Sequence, residues 1–159
     1  MAEGAARQLD ASEAAELTTL YFRLFTEVGI IAHLSQNRLA RVLPEGLSIA
    51  QFGVLNHFSR LGGESAPARL ARAFQVTKGA MTNTLQRLEA QRFITIKPDP
   101  KDARGKLVTI TPLGLRVQRE AVLATAGLLD DVVATLPAQE LIAILPAMER
   151  LRITLDENR

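Results

Sequence analysis

Apolar positions recur along this chain on a period near 3.6, and Leu17, Leu20, Leu24, Val28, Ile31 and Leu34 form the first such series. Residues 10–43 are expected to be helical, as one long helix or two shorter ones, because Gly29 weakens the middle and Pro44 with Gly46 ends the segment. Ser48 and Gln51 then spell a capping box, in which hydroxyl and amide satisfy free backbone donors at the start of a helix. That helix carries Phe52, Leu55 and Phe58 and stops at Gly62 and Gly63. Pro67 suits the first position of a short helix, where its missing N–H would be unpaired anyway; Leu70, Ala71 and Phe74 are its apolar side. Gln75 and Val76 make a tight connection to Thr77, the expected N-cap of a helix over residues 77–91.

That last helix has two unlike faces. Met81, Leu85 and Leu88 fall together at i, i+4 and i+7, whereas Gly79, Asn83 and Gln86 lie opposite, flanked by Thr82 and Arg87. A short polar face without the Glu/Lys mixture of a merely solvated helix is suited to touching a partner. Two helices joined by a tight turn, the second polar on its outer side, is the helix-turn-helix arrangement. Residues 93–97 and 106–110 read as two strands, and 98–105 as an eight-residue loop with two prolines, so a projecting hairpin, or wing, is expected. Thr111 and Pro112 open a helix expected to run to about residue 135, interrupted but not ended by Gly127. Pro137 opens the final helix, through Leu141, Leu145, Met148, Leu151 and Leu155, where Pro146 removes one backbone hydrogen bond and favours a kink.

Composition narrows the class. Of 159 residues, 47% are apolar but only 4% aromatic, with few alternating runs, which favours a mainly α protein with a small β-hairpin; the length suits a single domain over 1–159. The absence of cysteine removes disulfides and thiolate metal sites. Residues 1–10 read as a loose terminus without an apolar core and basic flank, and no apolar run approaches the roughly 18 residues of a membrane span, so a cytoplasmic protein without a membrane partner is expected. Net charge is +2, yet residues 69–106 hold nine Lys/Arg against three acids, a local +6 that leaves −4 for the rest. A polyanion is drawn to the middle of the chain and repelled by its ends.

The order of these signals resembles the MarR family of bacterial winged helix-turn-helix transcriptional regulators. Three stretches carry the resemblance: Leu47, Ser48, Gln51 and Leu55; then Leu70, Ala71, Val76, Thr77, Lys78, Met81, Thr82, Leu85, Leu88 and Glu89; and finally Asp99, Asp102, Arg104, Val108, Ile110, Thr111 and Gly114. It covers roughly residues 17–155 and implies a homodimer whose N- and C-terminal helices, 10–46 and 112–159, interlock around a winged helix-turn-helix DNA-binding region at 47–111. It also implies a recognition helix in the major groove and a wing arginine in the minor groove. On this chain those roles fall to Lys78, Gly79, Thr82, Asn83, Gln86 and Arg87 on the helix, and to Lys101, Asp102, Arg104 and Lys106 on the wing, Asp102 bracing Arg104. Two departures stand out: Arg92 where the family often has Gly, and Pro146 in the last helix.

The chemistry of these side chains suits those roles. Asn and Gln donate and accept together, matching an adenine edge, and Arg forks onto guanine or phosphate. Arg69, Arg72 and Thr77 are candidate contacts to the DNA backbone, which position without specifying. No nucleophile–base pair, phosphate loop or ligand cluster is spelled, so no catalytic residue, metal or cofactor is expected; His33 and His57 are single, and Asp99 with Asp102 sits in a basic loop with no desolvated cleft. The leading expectation is a homodimeric, sequence-specific regulator of double-stranded DNA, a repressor released by a small ligand, on an inverted-repeat operator. The alternative is a winged-helix module that binds protein without specific DNA binding. Family members commonly take small aromatic or anionic effectors, for which Phe22, Phe25, His33, Phe52 and His57 are candidate neighbours.

Overall fold

In the computed structural model, which describes residues 10–157, the chain divides into two compact units, Met1–Arg41 and Val42–Arg159. The loose terminus expected over residues 1–10 lies, apart from Asp10, outside the described residues. The described residues of the first unit belong, after Asp10, to one helix, α1 (Ala11–Val42), unbroken at Gly29. Asp10 caps it: its Oδ1 accepts from the N–H groups of Ser12 and Glu13, both at 2.8 Å, and Glu13 Oε2 accepts from Asp10 N–H at 3.2 Å. This is the reciprocal bonding of a capping box. None of α1 is buried, and Leu20, Phe22, Ile31 and Leu34 are all exposed, Phe22 at 72%.

The second unit begins with α2 (Ile49–Leu61), whose capping box forms as read: Ser48 Oγ accepts from Gln51 N–H and Gln51 Oε1 accepts from Ser48 N–H. α3 (Pro67–Ala73) carries proline in its first turn, and α4 (Lys78–Ala90) is capped by Thr77, whose Oγ1 accepts from Ala80 N–H at 3.2 Å. Their apolar sides meet in one core of Leu47, Val54, Leu55, Phe58, Leu70, Ala71, Met81, Leu85 and Leu88, closed by Ile94, Val108 and Ala121. The stripe read on residues 77–91 is thus the buried face of α4.

The wing departs from its expected outline. Strands β1 (Ile94–Asp99) and β2 (Asp102–Ile110) pair antiparallel from Ile94↔Ile110 to Pro98↔Lys106, and the chain turns at Pro100 and Lys101 instead of looping over 98–105. Pro98 is tolerated because a two-stranded sheet has only edges, where a missing N–H costs no ladder bond. The register slips between Pro98 and Asp99, so Ala103, Arg104 and Gly105 form an excursion from the ladder before Asp102 pairs with Asp99. Ser65 adds a single bridge to Val108, with N–H to O distances of 3.1 and 2.9 Å.

The helix expected from 112 to 135 is broken. α5 (Pro112–Ala124) ends at Thr125, whose hydroxyl bonds back to the Val122 carbonyl; a 3-10 turn, Ala126–Leu128, contains Gly127, and α6 (Asp130–Thr135) follows. Gly127 lacks helix propensity and Thr125 offers its backbone a local hydrogen bond, and together they outweigh the apolar periodicity. α7 (Ala138–Glu157) continues through Pro146, and Leu141, Ile142, Leu145 and Leu155 are exposed on it.

Two helix ends close on left-handed residues other than glycine. After α3, Gln75 has φ 51°, its N–H reaching the Arg72 carbonyl and that of Val76 reaching Ala71. After α4, Arg92 has φ 60°, with its own N–H on Glu89 O at 2.8 Å and Phe93 N–H on Leu88 O at 2.9 Å. Both are Schellman closures, in which a Cβ costs about 1 kcal/mol. Arg92→Gly is therefore expected to raise unfolding free energy by roughly 0.5–1 kcal/mol, read as a higher urea midpoint at unchanged slope. A lower midpoint would show that the Arg92 side chain supports the fold.

Candidate nucleic-acid interface

With Met81, Leu85 and Leu88 buried, α4 presents Lys78, Gly79, Thr82, Asn83, Gln86 and Arg87 to solvent. Thr82 Oγ1 donates to the Lys78 carbonyl at 2.8 Å and keeps both lone pairs as acceptors. The Asn83 and Gln86 amides form no hydrogen bond with any described residue. Two unpaired amides one helical turn apart can each donate and accept, as base edges require. At Gly79 a Cβ would meet nothing within 4 Å, so internal packing does not call for glycine there. Glycine in a helix costs about 0.8–1 kcal/mol relative to alanine, and its lack of a side chain leaves the backbone there open to close approach.

The wing stands beside this face. Thr82, Leu85, Gln86 and Glu89 of α4, together with Ile96, Lys97, Pro98 and Lys106 of the hairpin and Pro67, line one cleft of about 330 Å³. Glu89 fixes that relation, because its Oε1 accepts from Ile96 N–H at 3.2 Å. Lys101, Arg104 and Lys106 are exposed, and the Arg104 guanidinium has no partner among the described residues. Asp102 does brace Arg104, but through the backbone: its Oδ1 accepts from Arg104 N–H at 2.9 Å, as Asp99 Oδ1 does from Lys101 N–H at 2.8 Å. Both carboxylates shape the backbone of the tip.

At the N-terminal end of α4, Arg72, Gln75 and Lys78 share a groove with Ala68, Ala71 and Val76, and Arg69, Arg72, Ala73 and Gln75 line a second one together with Asp156. Thr77 is engaged as an N-cap, so its hydroxyl serves the first turn of α4. Lys97 and Gln75 line these clefts but are not among the contacts read from the sequence, because periodicity does not reveal which loop and strand residues a turn brings beside a helix.

The candidate effector residues are distributed over both units. Phe22, Phe25 and His33 lie exposed on α1, where His33 Nε2 is 3.1 Å from Asn37 Nδ2. Phe52 packs partly buried against the core, and the His57 ring meets Phe58 edge-on at 5.7 Å and Phe74 at 5.6 Å. Burial, aided by the positive charges of Arg60 and Arg69, lowers the His57 pKa, so the ring is neutral at pH 7 and adds no charge to the basic region. Among the described residues no three His, Asp or Glu side chains come together to hold a metal, and no helix is long and apolar enough to cross a membrane.

Comparison with known proteins converges on one group. The MarR family model matches residues 45–105. The multiple antibiotic resistance protein MarR of Salmonella typhimurium is 32% identical over 102 residues, which cover 59% of this chain and 70% of that protein. The transcriptional activatory protein BadR of Rhodopseudomonas palustris is 31% identical over 100 residues, 62% of this chain but only 55% of its own length. Among solved structures, a mutant MarR from E. coli superposes with a TM-score of 0.69 at 25% identity, covering 80% of this chain and 95% of that one. The same mutant complexed with operator DNA gives 0.65 at 24% identity, covering 85% and 97%.

Proposed function

Because this chain belongs to the MarR family, we propose that it is a homodimeric transcriptional repressor that reads an inverted-repeat operator and releases it on binding a small molecule. The observation that carries this reading is the outer face of α4, where the Asn83 and Gln86 amides stand unpaired between basic side chains while the opposite face is buried. In this reading Asn83, Gln86 and Arg87 meet base edges in the major groove, and Lys78 and Thr82 meet the adjoining phosphates and thymine methyls. Arg69, Arg72, Lys101 and Lys106 hold the phosphate backbone, and Arg104, on its excursion from the strand, enters the minor groove. The exposed apolar side chains of α1 and α7 are the dimerisation surface, since so many would be unfavourable facing water. Work on DNA places the protein in the cytoplasm.

The effector is an aromatic or anionic small molecule, and Phe22, Phe25, His33, Phe52 and His57 are the residues proposed to lie nearest to it. One of the matched relatives bears the name of an activator, so the sign of regulation is the finer part of this reading.

Selection from a randomised duplex pool tests it. Two-fold symmetry gives an inverted repeat with half-sites roughly 10 base pairs apart, and affinity falls steeply with salt. Arg104→Ala is expected to weaken binding about ten-fold, the scale of a lost charged hydrogen bond. If no duplex binds better than random DNA at physiological salt, the chain does not read sequence.

A further inference from the structure

The outer face of α4 explains what touches DNA, but not what fixes the rotation of α4. Its seat on the core is made by Met81, Leu85 and Leu88, and apolar contact is non-directional. A directional restraint sits at its C-terminal end. Gln91, the C-cap, is half-buried and has both ends of its amide engaged: Nε2 donates to the Gly46 carbonyl at 3.0 Å, and Oε1 accepts from Gln51 Nε2 at 2.9 Å. Gln51 is itself buried, and its Oε1 is occupied by Ser48 N–H at 2.9 Å. The relay therefore runs from Gly46 through Gln91 and Gln51 to Ser48, each member held by the next. Gly46 has φ 80°, which turns this carbonyl toward Gln91 in a conformation other residues adopt only with strain.

We propose that Gln91 is a positioning residue that fixes the rotation of α4 against the start of α2 and thereby sets which duplexes this chain prefers. Resting on the DNA-binding reading above, this adds a residue that touches no DNA to the determinants of specificity. Removing the relay leaves every phosphate-binding charge in place but lets Asn83 and Gln86 turn relative to the groove. A misplaced amide loses its base while the electrostatic grip persists.

The test compares the full chain with Gln91→Met, which keeps the length and removes both hydrogen bonds. Binding is measured to a duplex selected by the wild type from a randomised pool and to a random duplex, at a temperature where both proteins are fully folded by circular dichroism. The expected result is a loss of roughly ten-fold or more in preference for the selected duplex, on the scale of one lost side-chain–base pair, with random-duplex affinity and its salt slope unchanged. Should Gln91→Met fail to fold, Gln91→Glu keeps the acceptor facing Gln51 and drops the donor to Gly46, and a reduced preference ratio is expected. An unchanged ratio, or equal losses on both duplexes, overturns the assignment. A wild type that prefers no duplex overturns the DNA-binding reading instead.

Discussion

Gly114→Ala is expected to lower stability by about 3 kcal/mol, a fall in Tm of roughly 6–12 °C at fixed protein concentration, even though alanine is the better helix former. Gly114 lies buried in the first turn of α5, and a methyl group built there overlaps the Phe93 carbonyl oxygen and comes within 2.9 Å of Ile110 Cγ1. The carbonyl cannot simply retreat. It accepts from Thr111 N–H at 3.0 Å, and the Thr111 hydroxyl, shared between the carbonyls of Arg92 at 2.8 Å and Phe93 at 3.1 Å, also caps α5 by accepting from Gly114 N–H at 3.0 Å. One substitution thus strains the end of β2, the start of β1 and the cap of α5 together. Thermal and urea melts at matched concentration check it; a Tm within a degree of wild type would mean that α5 sits farther from Phe93.

Asn83→Ala with Gln86→Ala is expected to reduce affinity for the selected duplex by 10²-fold or more and to leave random-duplex affinity within about two-fold. Each good bidentate amide–base pair is worth about 1–3 kcal/mol of discrimination, and neither residue carries charge. Both side chains are exposed and unpaired in the protein, so their removal leaves no orphaned partner and should not lower Tm. Titration of both duplexes at one salt concentration separates the outcomes. Equal affinity of the variant and wild type for the selected duplex would assign base reading to another part of the chain.

Local chemistry made much of the fold legible in the sequence. The capping box at Ser48, the proline at the head of α3, the Thr77 cap and the stripe of Met81, Leu85 and Leu88 are each decided within about two helical turns, and each is formed as read. Where a feature depends on partners distant in sequence, the reading was incomplete. The single bridge from Ser65 to Val108, the Glu89 bond to Ile96 and the Gln51–Gln91 pair join residues that no period connects. The break after α5 went unseen because apolar spacing continues through Gly127 while the backbone does not. Arg92 was marked as a departure, and the structure answers it with a left-handed conformation on a non-glycine residue. The outer face of α4 was readable as a surface for contact; that its two amides would have no internal partner required coordinates.

The wing can finally be considered as a cantilever. Its root is clamped from three directions: Ser65 on Val108, Glu89 on Ile96 and Glu64 on Thr109. Beyond Pro98↔Lys106 the ladder loses its register, and among the described residues the tip is held by the Asp99↔Asp102 pair and its own turn bonds. A beam clamped at one end concentrates deflection at the other, so load on Arg104 bends the tip before it disturbs the root or α4. On the proposed DNA-binding reading the two elements then have different tolerances: α4 would demand fixed base positions, while the arginine would follow a minor groove whose width changes from one site to the next.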